Sequence, residues 1–572
     1  MRQKLLPALA CAAVLAWAGT TTRPRWNKKI PSKLRIEHAL NRLTFGPRPG
    51  DEAAIRKIGL KKWIDLQLDP KRISENPLLE QKLKTLDSLQ MSSEELVRNY
   101  PTPQVVQQMV RGQIPFPSDP VRQRMLRRLA VRAEARQNGA AEAALPEPVA
   151  LRQALSPEEV RRLRTGTPHE RLAALEGLPE EKQDEVIAVL PGGMRQALYV
   201  MSPPNLRRKI EMTQGPAQVV ARDLTEGKLL RAIYSNRQLE EVLTDFWFNH
   251  FNIYLDKGAD HYLVTEYERE VIRPHVLGKF RDLLEATAKS PAMLFYLDNW
   301  QSAGLPPNPS RPTSGRLGTP VPPRNARNRR NGLNENYGRE LLELHTLGVN
   351  GGYTQKDVTE VARCFTGWTI DRPQFGGGFL FRKQAHDNGE KVVLGVTIPA
   401  GGGIDDGEKV LDIIARNPAT ARHISRELAK RFVADDPPPA LVDRMAQTFL
   451  RTDGDLRAVM KTMLDSKEFW SEAGYQSKMK SPLEMVVSAV RAVDSDVDFA
   501  FALVNQVGLM GEPLYRKIEP TGYSNASAEW LNSAGLLARM NFAVQLAGNK
   551  LPGVKVGTAD ASVLGSPEFQ KR

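Results

Sequence analysis

Asn334-Glu335-Asn336-Tyr337-Gly338-Arg339-Glu340-Leu341-Leu342-Glu343-Leu344-His345-Thr346-Leu347-Gly348 is the stretch whose spacing decides how the chain is read. At 100° per residue Asn336, Arg339, Glu340 and Glu343 share one face of a helix, and Tyr337, Leu341 and Leu344 the adjoining one. Two carboxylates one turn apart could hold a divalent metal or act as acid and base. The competing reading is that Arg339 neutralises one of them in an ion pair that fixes helix packing.

Working outward, the same helical period recurs on both sides. Thr354 and Asp357 stand at capping-box spacing, ahead of an apolar stripe of Val358, Val361, Ala362 and Phe365 that ends at Thr366-Gly367-Trp368. Glu360 and Arg363 are placed to pair. Upstream, helices are expected at about 226–256, 259–275 and 279–290, and downstream through 405–550. A short β-hairpin is expected at 378–398, with Asp387-Asn388-Gly389 as its turn. Gln301–Asn334, rich in Pro, Gly, Asn and Arg, reads as a long mobile loop. The fold class is therefore mainly α, a multi-helix globular protein with one small β-hairpin element. The expected divisions are a signal at 1–18, an N-terminal helical region at 19–137, a charged helical expansion at 138–222, a main helical domain at 223–550 and a tail at 551–572.

The N-terminus carries a different signal. Arg2 and Lys4 precede the apolar run Leu5–Ala18, which ends in the small-x-small pattern Ala16-Trp17-Ala18. That layout predicts a secretory signal peptide and an exported protein, periplasmic or secreted. Cys11 falls inside the signal, so the mature chain keeps only Cys364, which sits in an apolar helical pattern and reads as core. No other apolar run approaches the length that spans a bilayer, so no transmembrane segment is expected. The net charge of +14 over 572 residues points to anionic partners such as acidic polysaccharide, unless it serves solubility alone. Nucleic acid is not expected, because export removes the opportunity and no nucleic-acid motif is present.

Histidine is sparse, at eight residues. Asn249 and His250 lie in the aromatic cluster Trp247-Phe248-Asn249-His250-Phe251, and His386-Asp387 lies at the expected hairpin turn. A histidine with Glu340 and Glu343 would suffice as a metal ligand set, yet HExxH, CxxC, GxSxG and phosphate-loop patterns are all missing. The candidate catalytic residues are thus Glu340, Glu343 and His250. Asn249, Asn336, Arg339, Trp368, His386 and Asp387 are candidates for binding, and a divalent metal is the candidate cofactor.

These stretches together resemble a bacterial family known as number 1800 of the domain-of-unknown-function series. The resemblance begins at His38–Pro47, continues through Phe246–Phe251, Pro291–Leu294 with Leu297–Asn299, and Asn334–Trp368, and includes His386-Asp387, Leu394-Gly395 and Lys480-Ser481-Pro482-Leu483-Glu484. The sequence departs from the family pattern at Gly338, where Ala is usual, at Tyr523 of Pro520-Thr521-Gly522-Tyr523, where Trp is usual, and in the expansion at about 140–215. The resemblance implies export and an exported sulfatase-like neighbour as a candidate partner. It supplies no catalytic residue set. Two readings follow: a binding or assembly protein engaging an anionic glycan or partner protein, and a metal-assisted or carboxylate-dependent hydrolase.

Overall fold

A computed structural model describes residues 25–137 (side chains as far as 131), 155–304, 332–557 and 559–572. The expected signal and most of the 301–334 loop lie outside these residues. The helices that shape the interior are α1 (Arg35–Leu43), α2 (Pro216–Tyr234), α3 (Gln238–His250), α4 (Glu335–Glu340), α5 (Gln355–Cys364), α6 (Pro418–Phe432), α7 (Pro482–Ala492), α8 (Phe501–Leu509) and α9 (Ser533–Ala547). No helix among the described residues is long and apolar enough to cross a membrane.

α2 and α7 form the centre. α2 is buried along most of its length, so its sequence shows no polar stripe, as expected of a helix enclosed on all sides. It lies against α7 and α8, and α7 in turn lies against α8 and α9. Leu483, Val486, Val487 and Val490 of α7 are fully enclosed, and each such side chain contributes about 1.5–3 kcal/mol by leaving water. α7 starts where its sequence says it should. Ser481 caps it, Pro482 fills the first turn, and Glu484 closes a capping box by accepting from the Ser481 amide.

One continuous apolar cluster runs from Ala39 of α1 to Leu564 near the end of the sequence. A second gathers residues 96–130 with Met212, Val219, Val220 and Tyr262. The described helices of the expected expansion hold a third cluster of their own, Leu155 to Ile210, which Phe499 joins.

The fold is mainly α with small antiparallel ribbons, and local details correct the expectations. The helix expected at 226–256 is two helices. Glu75 accepts from Ser235 Oγ and from the Asn236 amide, both at 2.8 Å, and holds the chain open between α2 and α3. The expected single hairpin at 378–398 is replaced by two ribbons, β1 (Trp368–Ile370) with β2 (Phe379–Phe381) and β3 (Lys391–Val393) with β4 (Val396–Ile398). The turn of the second is Leu394-Gly395, both at positive φ, not Asp387-Asn388-Gly389. A third ribbon joins β5 (Asp496–Val497) to β6 (Val554–Lys555).

α4 does not continue as an α-helix through His345. It widens into a π-helical turn, Leu341–Thr346, in which Leu347 N donates to Leu342 O at 2.9 Å. Gly338 lets α4 approach α5 closely, since a Cβ there would meet the Val358 carbonyl oxygen at 2.9 Å.

Candidate functional site

Asn249 sits in the last turn of α3 and clamps a distant loop. Its Nδ2 donates to Tyr523 O at 2.7 Å, and its Oδ1 accepts from Tyr523 N at 2.6 Å. The neighbouring Gly522 has φ +66°, and a Cβ there would lie 2.2 Å from the Asn249 carbonyl oxygen. Only glycine fits that approach. The start of α7 comes to the same place. Between these elements opens a cavity of about 50 Å³ lined by charged and polar side chains, among them Lys228, Asp245, Glu484, Glu512, Arg431 and Arg572.

Five of the six charged side chains named here are paired. Lys228 of α2 pairs with Asp245 of α3 at 2.8 Å and lies over the Tyr515 ring. Glu484 Oε1 accepts from Arg431 of α6 and from Arg572, the latter at 2.6 Å, while Oε2 accepts from the Ser481 amide at 2.9 Å. Burial opposes the ionised form of Glu484, but the two guanidiniums and the amide outweigh it and hold its carboxyl down to about 2. Glu512 has no such counter-ion. It accepts from the Leu483 amide at 2.8 Å, and burial, reinforced by Asp245, pushes its carboxyl up to about 8. Tyr515, which also lines the cavity, is held at φ +61° and donates to Glu268.

The residues singled out from sequence are dispersed among several neighbourhoods. Asn249 alone of them lines this cavity. His250, the next residue, faces other partners. Its Nε2 meets the His345 carbonyl oxygen at 3.1 Å, and its ring lies 6.4 Å from that of His345 and 6.1 Å from that of His423. Burial, then His423 and His345, lower its pKa to about 3, so it is a neutral imidazole. Glu340 and Glu343 are half-buried neighbours. Burial, then Glu343, raises the Glu340 carboxyl, and Tyr353 donates to Glu343 at 3.0 Å. Arg339 pairs with Glu335 at 3.8 Å and donates to Gln355 at 2.8 Å, so the expected pairing to Glu340 or Glu343 is corrected. The physical reason is the adjacent α5, which presents Gln355 on Arg339's side of the helix. Asn336 is exposed.

Trp368, on β1, is fully buried against Phe365 and Phe379. Asp387 is gripped by Arg363 at 2.9 and 3.1 Å, and Arg363 also holds Glu360. His386 is enclosed, its Nε2 3.1 Å from Asp406. Among the described residues no cluster of His, Cys, Asp or Glu is arranged to hold a metal ion.

The sequence matches, over residues 38–570, the family described as "Protein of unknown function (DUF1800)". The chain belongs to the DUF1800 family. Neither the curated proteins nor the solved structures contain a match to it. Two of the stretches in which the chain resembles DUF1800 proteins, Phe246–Phe251 and Lys480–Glu484, and the stretch Pro520–Tyr523, where it departs by carrying Tyr in place of Trp, supply residues to the same cavity. A fourth, His38–Pro47, places Arg42 in the electric field of Arg431, Glu484 and Arg572. In this DUF1800 protein Lys228, Asp245, Arg431, Glu512 and Arg572 carry no local sequence signal, because each lies in an ordinary helix or connection. Glu484 stood out in sequence only as part of a stretch of family resemblance, which gave it no chemical role.

Proposed function

We propose that the protein is exported and acts as an envelope or secreted binding and assembly protein, engaging an anionic glycan or a partner protein through this cavity. The observation that supports the reading is the meeting of three separated stretches around one small polar opening walled by Lys228, Arg431 and Arg572. A net charge of +14 draws polyanions towards the surface before any specific contact forms. An exported sulfatase-like protein is the candidate protein partner. The test uses the mature chain, 19–572, recovered by export and passed over immobilised acidic and neutral polysaccharides at low salt. Retention on the acidic resin alone, lost as salt rises, is expected. Passage through both, with no capture of the sulfatase-like protein, overturns the reading.

One observation favours the hydrolase alternative in a changed form. Glu484 and Glu512 line the same cavity with pKa values pushed apart, to about 2 and about 8. A pair split this way provides an ionised carboxylate beside a protonated acid, the requirement for acid–base work at neutral pH. Turnover of an acidic oligosaccharide that vanishes in Glu512→Gln would establish it. The metal-assisted form, on Glu340, Glu343 and His250, is tested by elemental analysis: it requires a stoichiometric metal that is lost on replacing Glu340.

A further inference from the structure

Beneath the cavity the charges do not balance. Arg42, Arg431, Lys478, Lys480, Arg539 and Arg572 are all buried. They lie in one another's fields, with Glu484, Asp435, Glu512 and Asp245 as the neighbouring carboxylates. Glu484 pairs with Arg431 and Arg572, and Asp435 with Lys478, whereas Arg42, Lys480 and Arg539 have no carboxylate at ion-pair distance among the described residues. The lysines record the strain. Burial, then Arg572, pushes Lys478 down to about 7, and burial pushes Lys480 down to about 7 although Glu484 opposes it.

The guanidiniums repeat one pattern. Arg42 gives Nη2 to Gly474 O, Arg539 gives Nη2 to Lys480 O, and Arg572 gives Nη2 to Arg431 O. In all three the buried Nε has no acceptor, and in Arg42 and Arg539 Nη1 has none either. Unmade charged hydrogen bonds are costly, and Arg572 is the one of the three that lines the cavity, where an anion could take up its free Nε.

We propose that the cavity is an oxyanion site, taking a sulfate or phosphate group on the Arg431 and Arg572 side. Asn525 shares the lining, and of the carboxylates there Asp245 and Glu484 are already paired, with Lys228 and with Arg431 and Arg572. The opening of about 50 Å³ admits a group of a few heavy atoms and no sugar ring. Ser524, exposed in the lining, marks the mouth through which the remainder of a larger ligand would project. Planar guanidinium forks favour tetrahedral oxyanions over chloride, because they match two oxygens at once. This rests on reading the cavity as the ligand contact.

The test takes the mature full chain in chloride buffer and titrates in sodium sulfate or sodium phosphate at constant ionic strength. One saturable site per chain and a raised Tm are expected. Lys480→Met, which breaks no ion pair because the ammonium lies 3.8 Å over the Phe569 ring, weakens binding about fivefold by removing one charge. Arg572→Lys keeps the charge but loses the fork and weakens binding about tenfold. Lys480→Met carries the test if Arg572→Lys does not fold. Lys62→Met, on the exposed surface, leaves binding unchanged. Sulfate and phosphate acting no differently from chloride, or Lys480→Met behaving as Lys62→Met does, overturns the proposal. A monosaccharide 6-sulfate binding more tightly than inorganic sulfate identifies an esterified ligand, and the reverse a free ion. Polysaccharide retention that survives Lys480→Met and Arg572→Lys defeats this inference but not the binding function. Inorganic sulfate at the cavity without polysaccharide or partner capture does the opposite.

Discussion

Two of the charge clusters buried among the described residues differ in one respect that separates a fastener from a site. His386, Lys391 and Asp406 are completely enclosed. Asp406 Oδ2 takes Lys391 Nζ at 2.6 Å and His386 Nε2 at 3.1 Å, so one carboxylate answers one ammonium. A Cβ on Gly402 would lie 1.9 Å from Asp406 Oδ1, which closes the other side. The cluster around Glu484 is equally buried, but its cations outnumber its carboxylates and it opens into a cavity. Burial of charge alone is therefore no mark of function. Imbalance beside an opening is.

The largest effect should come from breaking the balanced cluster. Asp406→Ala leaves the Lys391 ammonium enclosed without a counter-ion, and a loss of about 3–5 kcal/mol is expected in urea unfolding. Added sulfate should not restore it, because the side chains of His386, Lys391 and Asp406 have no exposed surface. Glu484→Gln also strips a counter-ion, here from Arg431 and Arg572, with a loss of about 3 kcal/mol expected. In this case sulfate should recover much of the loss. Equal recovery in both variants, or in neither, would erase the distinction between the clusters.

Glu512 sharpens the comparison through pH. Its folded pKa, about 8, lies above the usual carboxylate value, so between about pH 4.5 and 8 the folded state holds a proton that the unfolded state has released. Stability from this group is complete below that window and falls as pH rises through it. Glu512→Gln removes the fall, and the variant should gain about 3 kcal/mol over the natural chain between pH 5 and pH 8. Parallel profiles would place Glu512 among the ordinary carboxylates and remove the acid from the hydrolase alternative.

What the sequence made legible was local. Helical period found α4 and α5, and capping chemistry found the start of α5 at Thr354. Asn249 was visible because its aromatic neighbours are unusual. Asp387-Asn388-Gly389 has the chemistry of a hairpin turn, but Arg363 captures the Asp387 carboxylate and the turn forms instead at Leu394, a residue type that rarely accepts φ +49°. The cavity was out of reach for another reason. Asp245, Arg431, Glu484, Glu512 and Arg572 are spread over more than half of the chain, and no period links them. Tertiary packing alone brings them together.

The smallest effect tests the pair that the sequence favoured. Glu340 and Glu343 are neither balanced like Asp406 nor walled by cations like Glu484. They repel one another across one turn, half-buried, and Arg339 has turned to Glu335 and Gln355. Glu340→Gln therefore removes a repulsion and no ion pair, and stability should change by less than about 0.5 kcal/mol, in the favourable direction. The carboxyl of Glu340 is raised, so any gain should grow as pH rises above the ordinary glutamate range, where the unfolded chain is already ionised. A marked loss of stability would mean that Arg339 depends on Glu340 after all. Unchanged stability with a lost metal or a lost activity would return the site to α4, because only a chemical role leaves folding intact while removing function.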